Sequence, residues 1–264
     1  MKASPLTLLA ARLNAAAYED AYMQTGAIDL SAFFAPASAK LAATIWANDP
    51  KVGRIRHGFI AVTSTGEPFW IFAGTLCPSG NPLVEWLDDF DAALVQSPWN
   101  EKSRVHRGFQ RFTDSISIEM DGVELWLRDF IVAHIDLVTE ATFAGHSLGT
   151  YCAAAAFMWA RTADMIPYAC IQFAAPKGGD GSHRKDVVGS VQAVQGIFEA
   201  YKNRDDAVPE LPFTIEIGPW VLADFEPVVD PVVLDPRSVS PAVESDWASA
   251  HHMPNYVRLL AALT

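Results

Sequence analysis

From residue 141 onward, apolar segments of two kinds alternate along the chain, and this alternation limits the possible folds more than any other feature. In chain order they are strand-like ATFAGH (141–146), helix-like LGTYCAAAAFMWA (148–160), strand-like YACIQFAA (168–175) and strand-like GIFEAYKN (196–203). The polar segments PKGGDGS (176–182) and RDDAVPELP (204–212) follow the last two. Strand-like runs that alternate with helix-like runs predict an α/β protein with a mostly parallel central sheet and helices on both faces. In such sheets, functional side chains gather at the carboxyl ends of the strands.

The first half of the chain carries weaker patterns. Runs of β-forming residues predict strands over 54–62 and 68–75. Helical spacing of apolar residues predicts three helices, over about 5–24, over 81–94 and over 108–134, the last with Gly122 as an internal break point. No repeat, low-complexity tract or linker divides the chain, so we expect one domain spanning residues 1–264.

Composition excludes several classes of function. Half of the 264 residues are hydrophobic, which is too apolar for a disordered chain, and the formal net charge is −12. Nucleic acids and anionic membranes attract positively charged surfaces, so we expect neither as a partner. The sequence has no run of eighteen or more apolar residues, so it predicts no transmembrane helix. The oligomeric state is left open.

The N-terminal sequence MKASPLTLLAARLNAAAY favours an amphipathic helix over a signal peptide. Its apolar run from Leu6 to Ala11 is short and ends at Arg12. The expected location is therefore either cytoplasmic or secreted with a leader already removed. The three cysteines cannot form a fully paired framework, and Cys152 and Cys170 are expected to be small core residues because they lie in apolar segments.

The pentapeptide GHSLG (145–149) matches the pattern G-x-S-x-G. On its own this pattern is weak and also fits an ordinary glycine-bounded turn. Here it lies between a strand-like and a helix-like run, which is the setting that a nucleophile elbow requires. Glycines two positions to either side let the serine occupy a tight turn, and the helix N-terminus beneath it favours developing negative charge. We therefore predict that Ser147 is a nucleophile.

A serine hydroxyl needs a base to take its proton, and the base needs an acid to orient it. α/β-Hydrolases carry these groups in the chain order Ser, Asp or Glu, His. Asp205 and Asp206 follow a strand-like run and precede prolines that stop regular structure. Of the later histidines, His183 precedes most candidate acids and is expected in a solvated loop, whereas His251 and His252 precede a closing helix. The choice within each adjacent pair stays open on these grounds.

Ordered motifs over about residues 55–260 resemble those of the class 3 (fungal-type) lipase family of α/β hydrolases. IFAGT resembles the family's oxyanion segment F-R-G-T, SRVHRGF resembles V-H-x-G-F, and TFAGHSLG is similar to its nucleophile elbow. FAAPKGGD resembles F-G-x-P-R-x-G-N, NRDDAVPELP resembles D-x-V-P-x-L-P, and HHMPNY resembles H-x-x-x-x-Y. The chain departs from the family at Ala73 and Ala174, which replace an arginine and a glycine, and three cysteines cannot reproduce the disulfides of secreted fungal members. These departures affect loop packing more than chemistry.

The resemblance implies a set of site residues. Ser147 would be the nucleophile, Asp206 the acid and His251 the base. The oxyanion hole would use backbone N–H groups of Thr75 and Leu148, each aimed at the developing alkoxide.

Three further positions take their expected roles from the same motifs. The preference for the first histidine of the pair rests on its spacing of five residues before Tyr256. His106 of the V-H-x-G-F motif and His146 of the elbow are expected to have structural roles.

The resemblance also implies a serine carboxylic ester hydrolase, a lipase or esterase that cleaves acyl esters such as glycerides through an acyl-enzyme, with no metal or organic cofactor. Segment 76–86 lies where the family has a lid, and its apolar residues suit transient contact with a lipid interface. The alternatives are a feruloyl-type or other aryl esterase and an inactive α/β-hydrolase-like binding protein, which the complete Ser/Asp/His set disfavours. A zinc hydrolase is disfavoured because adjacent histidines do not easily chelate one ion.

Overall fold

A computed structural model describes the chain at residues 3–23, 39–49, 53–75, 91, 93–212, 215–217, 220–240, 242 and 247–264. Its helices are α1 (Pro5–Met23), α2 (Arg107–Asp114), α3 (Leu127–Ala133), α4 (Ile135–Val138), α5 (Leu148–Thr162), α6 (Gly181–Ala193), α7 (Trp247–His251) and α8 (Met253–Ala261). Its strands are β1 (Lys40–Asp49), β2 (Gly53–Val62), β3 (Pro68–Phe72), β4 (Leu94–Gln96), β5 (Arg104–His106), β6 (Ser117–Met120), β7 (Val123–Trp126), β8 (Thr142–His146), β9 (Ala169–Phe173), β10 (Ile197–Asn203), β11 (Ile215–Ile217), β12 (Trp220–Ala223) and β13 (Val232–Leu234). Short 3-10 turns span Val208–Glu210 and Pro236–Ser238.

Nine of the described strands form one sheet, in the order β13-β10-β9-β8-β3-β2-β1-β6-β7. Neighbouring strands are parallel from β13 to β3 and antiparallel from β3 to β7. Because direction alternates in the antiparallel half, seven of these nine strands run the same way and β2 and β6 oppose them. The predicted α/β class, with a mostly parallel central sheet, is confirmed. The strands predicted over 54–62 and 68–75 are β2 and β3.

Helices pack on both faces of this sheet, and β3 shows how the sequence directs them. Successive side chains of a strand point to opposite faces. Phe69 and Ile71 join the apolar layer that contains α1 and α8, whereas Trp70 and Phe72 join the layer that contains α5. All side chains of β3, β8 and β9 are buried, which explains why these strands have continuous apolar runs. The predicted N-terminal helix is present as α1.

The predicted long helix over 108–134 is wrong. Helix α2 ends at Asp114, and the β6–β7 hairpin then intervenes before α3 begins at Leu127. Asp121 and Gly122 form the two-residue turn of that hairpin, with φ angles of 50° and 79°. Positive φ at both turn positions is the geometry of a type I′ turn, for which Asp-Gly is a favoured pair. This local turn preference outweighed an apolar spacing that also suited a helix.

Two expectations fall largely outside the described residues. The predicted lid at 76–86 lies wholly outside them, and so does most of the predicted helix over 81–94, whose last residue, Leu94, begins β4. Within the described part of the chain, no helix is long and apolar enough to cross a bilayer.

Candidate active site

Ser147 occupies the sharp turn between β8 and α5. Its φ and ψ angles are 55° and −128°, a backbone region that non-glycine residues rarely adopt. The turn is held to the neighbouring strand because the Ser147 N–H donates to the carbonyl of Phe173 at 2.9 Å. A serine with positive φ between a parallel strand and a helix is the geometry of a nucleophile elbow.

The two glycines of GHSLG are required by close backbone approaches. A Cβ atom on Gly145 would lie 2.1 Å from the carbonyl oxygen of Gly149. A Cβ atom on Gly149 would lie 2.3 Å from the carbonyl oxygens of Phe72 and Ala73. Real Cβ contacts are longer than 3.0 Å, so any side chain at either position would force the backbone apart. The glycines therefore allow α5 to start directly against β3.

Asp206 and His251 form a buried pair at the carboxyl end of β10. The Nδ1–H of His251 donates to Oδ2 of Asp206 at 2.9 Å. Tyr256 donates its hydroxyl proton to the same oxygen at 2.7 Å, and the backbone N–H of Val208 donates to Oδ1 at 2.9 Å. Because Nδ1 carries the proton, Nε2 of His251 is left as the proton acceptor. The pair has the geometry of an acid that orients a general base.

The loop after β10 is tied to the C-terminal helices by Asn203. Its side-chain amide donates to the carbonyl of Ala250 at 3.0 Å, and its backbone N–H donates to the Tyr256 hydroxyl at 2.9 Å. Tyr256 thus accepts one hydrogen bond from the strand end and donates one to the carboxylate. Burial, together with the neighbouring Asp206 carboxylate, raises the pKa of Tyr256 well above its usual value, so the phenol stays protonated.

The structure distinguishes the members of both adjacent pairs. Asp206 is buried and faces the histidine, whereas Asp205 is half-buried and uses its backbone N–H to contact Asn203. His251 is buried at the end of α7, whereas His252 is exposed and precedes α8. The two residues that the motifs selected are therefore the two that lie together.

His146, the residue before the serine, connects the elbow to His251 at the end of α7. Its Nε2 is hydrogen-bonded to the carbonyl oxygen of His251 at 2.8 Å, and the two imidazole centroids are 4.6 Å apart. Within the described residues, no hydrogen bond joins Ser147 Oγ to His251. Burial lowers the pKa of His146 well below its usual value, and the nearby His251 lowers it further, so this ring is neutral.

The two expected oxyanion positions flank the elbow. Leu148 is the first residue of α5, a fifteen-residue helix, and the first backbone N–H groups of a helix have no partner within it. Thr75 is half-buried and follows Gly74, whose N–H donates to the hydroxyl of Tyr18 at 2.7 Å. A Cβ atom on Gly74 would lie 2.7 Å from Cβ of Ser147. The oxyanion segment therefore runs directly beside the candidate nucleophile.

Two other histidines differ in how well their roles were predicted. His106 has the expected structural role, since its Nδ1 accepts from the backbone N–H of Phe109 at 3.3 Å and caps α2. His183 was expected in a solvated loop, and this is wrong, because it is 1 % exposed and lies in α6. Asp180 caps the N-terminus of that helix, and the Gly-rich polar sequence there had favoured a loop. Burial lowers the pKa of each histidine to about 4.

Tyr18 is the site residue that sequence reasoning missed. It lies on α1, more than a hundred residues from the elbow, and its hydroxyl is hydrogen-bonded to Nδ1 of His146. It belongs to none of the recognised motifs. Among the described residues, no group of three or more His, Cys, Asp or Glu side chains is placed to hold a metal ion.

Comparison with known proteins gives one family and a set of related folds. The family model described as lipase (class 3) matches residues 73–216, more than half of the chain. The mono- and diacylglycerol lipase from Aspergillus oryzae is 19% identical, with 78% of this chain and 73% of that chain covered and a TM-score of 0.58. The triacylglyceride lipase of Rhizomucor miehei is 18% identical, with 79% and 74% covered and a TM-score of 0.60. A lipase from Rhizopus microsporus var. chinensis is 16% identical, with 80% and 71% covered and a TM-score of 0.57. No curated protein sequence matches the chain significantly.

Proposed function

Because the chain belongs to the class 3 lipase family and is therefore an ester-hydrolysing enzyme, we propose that it cleaves acyl esters through an acyl-enzyme formed on Ser147. We propose further that residues 1–264 act as one α/β-hydrolase domain. This is supported by the apolar layer that α1, near the start of the chain, shares with α8, near its end.

The observation that carries the proposed roles is the buried Asp206–His251 hydrogen bond, beside a serine held at positive φ. In the first step, Nε2 of His251 takes the hydroxyl proton of Ser147 as its oxygen attacks the acyl carbonyl carbon. The carbonyl oxygen becomes an alkoxide, which the N–H groups of Thr75 and Leu148 stabilise. The Asp206 carboxylate stabilises the imidazolium formed in this step.

The intermediate then collapses with loss of the alcohol. The carbon–oxygen bond to the alcohol breaks, and His251 returns its proton to the departing oxygen. A water molecule next loses a proton to His251 and attacks the acyl carbon. The bond from that carbon to Oγ of Ser147 then breaks, His251 returns the proton to Oγ, and the carboxylic acid leaves. The Ser147–His251 hydrogen bond that this cycle needs forms when substrate binds, since such bonds are often long in free enzymes.

The proposed substrates are glycerides and related acyl esters. Two of the relatives named above are a mono- and diacylglycerol lipase and a triacylglyceride lipase, and this supports the same substrate class here. A transient contact with a lipid interface is part of the proposal, whereas the net charge of −12 disfavours nucleic acid as a partner.

The test is a panel of nitrophenyl esters from acetate to palmitate, with tributyrin and methyl ferulate. We expect hydrolysis of the acyl esters and a loss of at least about 10⁴-fold in kcat for Ser147→Ala. Ser190→Ala, a serine on α6 far along the chain from the elbow, is the matched control and should keep full activity. Full turnover by Ser147→Ala would refute the nucleophile. A wild-type protein that hydrolyses methyl ferulate alone would favour the aryl esterase.

A further inference from the structure

A series of three hydrogen bonds connects α1, the oxyanion segment, the elbow and the end of α7. The backbone N–H of Gly74 donates to the hydroxyl oxygen of Tyr18 at 2.7 Å. The same hydroxyl is hydrogen-bonded to Nδ1 of His146, and Nε2 of His146 is hydrogen-bonded to the carbonyl oxygen of His251 at 2.8 Å. The oxyanion segment, the elbow and the end of α7 therefore each contribute one group to this series of hydrogen bonds.

The groups at the two ends of this hydrogen-bond series, a carbonyl oxygen and a backbone N–H, determine where its protons lie. A carbonyl oxygen only accepts, so Nε2 of His146 must carry the proton that it shares with His251. The ring is neutral because it is fully buried, and its Nδ1 is therefore an acceptor. Tyr18 must then donate its hydroxyl proton to Nδ1. Its oxygen is left to accept from Gly74, an amide that only donates. The opposite tautomer would set a lone pair of Nε2 against the lone pairs of a carbonyl oxygen.

From this arrangement we propose that Tyr18 and His146 are positioning residues that hold the oxyanion segment and the base in register with the nucleophile. The proposal rests on the proposed function, since it assigns these groups to the same reaction. Neither side chain needs to touch substrate. Tyr18 acts through Gly74, the neighbour of the oxyanion residue, and His146 acts through the backbone of His251.

Close packing around Gly74 makes the position of the oxyanion segment depend on Tyr18. The Cβ position of Gly74 is 2.5 Å from the Tyr18 hydroxyl and 2.7 Å from Cβ of Ser147, so the three residues are in direct contact. A displacement of the tyrosine moves the oxyanion segment relative to the serine. Misplacement of about 1 Å at a catalytic group costs about 10²-fold in rate. The loss should fall on the chemical step, because Tyr18 acts through the oxyanion segment and His146 acts through the base, and neither needs to touch the substrate.

The kinetic test replaces Tyr18 with phenylalanine, which removes the hydroxyl and keeps the ring. This change leaves the Gly74 N–H and His146 Nδ1 without their partner. We expect kcat for nitrophenyl butyrate to fall about 10- to 100-fold, with KM changed by less than about threefold. Tyr201→Phe is the matched control, because Tyr201 contributes to the same apolar layer and donates to Glu199 instead. Its kcat should stay within about twofold of wild type.

A double-mutant cycle separates positioning from general loss of stability. His146→Gln keeps an N–H donor at the end of the side chain but has no ring nitrogen to accept from Tyr18. If the tyrosine acts through His146, the combined loss of kcat in Tyr18→Phe/His146→Gln will be smaller than the product of the two single losses. A Tyr18→Phe variant with wild-type kcat and only a lower unfolding temperature would overturn the proposal.

The tautomer of His146 in the wild-type protein provides a test that needs no variant to fold. Nitrogen-15 NMR of histidine-labelled protein should show a protonated Nε2 and a bare, hydrogen-bonded Nδ1 for this ring at pH 7. A proton on Nδ1, or rapid exchange between the two nitrogens, would overturn the proposal. This outcome is independent of activity: absence of ester hydrolysis by the wild type would refute the proposed function and leave the tautomer result standing.

Discussion

Replacing His57 with phenylalanine is expected to make the fold less sensitive to acid. His57 is fully buried, and in the described part of the chain neither of its ring nitrogens has a hydrogen-bond partner. Its imidazole lies against Phe112, with ring centroids 4.8 Å apart, and near Phe72 at 6.4 Å. Burial lowers its pKa from 6.5 to about 3, because removal from water disfavours the charged form of the ring. The native state therefore keeps this ring neutral at pH 5, whereas the unfolded chain protonates it.

The size of the effect follows from these two pKa values. Above pH 6.5 the histidine is neutral in both states and stability does not depend on its titration. As pH falls below 6.5, the unfolded state takes up a proton that the native state does not, so the free energy of unfolding decreases until pH reaches about 3. Between pH 7.5 and pH 5, this single group accounts for a loss of about 2 kcal/mol.

The assay is urea unfolding at pH 7.5 and pH 5 for wild type and His57→Phe. The difference between the two pH values cancels any packing cost of the larger ring, because that cost is the same at both. The variant should lose about 2 kcal/mol less than wild type over this range. His252→Ala, which removes an exposed histidine, is the control and should keep the wild-type difference. An equal loss of stability in wild type and His57→Phe would refute the reasoning.

Three further experiments test the site geometry. Tyr256→Phe should lower the free energy of unfolding by about 2–3 kcal/mol in urea at pH 7, because it leaves a buried N–H unpaired and removes a hydrogen bond to a carboxylate. His251→Ala should abolish hydrolysis of nitrophenyl butyrate and His252→Ala should not, and the reverse result would show that the wrong histidine was assigned. Gly149→Ala should unfold at a much lower urea concentration than wild type, since its Cβ would lie 2.3 Å from two carbonyl oxygens. Gly189→Ala, where a Cβ meets nothing within 4 Å, should gain about 0.5–1 kcal/mol, and equal effects at the two glycines would contradict the close approach.

The parts of the site that could be predicted from sequence are those that depend on short runs of neighbouring residues. The turn at Ser147 needs glycines at fixed offsets, and the Asp206 segment needs a strand followed by proline. Both patterns can therefore be recognised as motifs in the sequence. The choice of Asp206 over Asp205, and of His251 over His252, depended on motif register, because neighbouring residues in a loop have the same composition around them.

The missed features depend on contacts between distant segments or on competing local preferences. Tyr18 reaches its partners only because α1 packs on the face of the sheet that also carries α8, and no spacing within one segment reports that. His183 is polar in sequence but lies under Trp99 and Tyr151 once α6 forms. At residues 117–126, helical apolar spacing competed with an Asp-Gly turn, and the turn prevailed.

The central claim is that Ser147 becomes acylated during turnover, and acid quenching followed by mass spectrometry tests it most directly. Protein mixed with excess nitrophenyl butyrate and quenched in the first turnovers should carry one butyryl group, and the modified peptide should map it to Ser147. The Ser147→Ala variant should carry none and show no burst of nitrophenol. A butyryl group at another residue that disappears as hydrolysis proceeds, or a wild-type burst in the Ser147→Ala variant, would contradict the account.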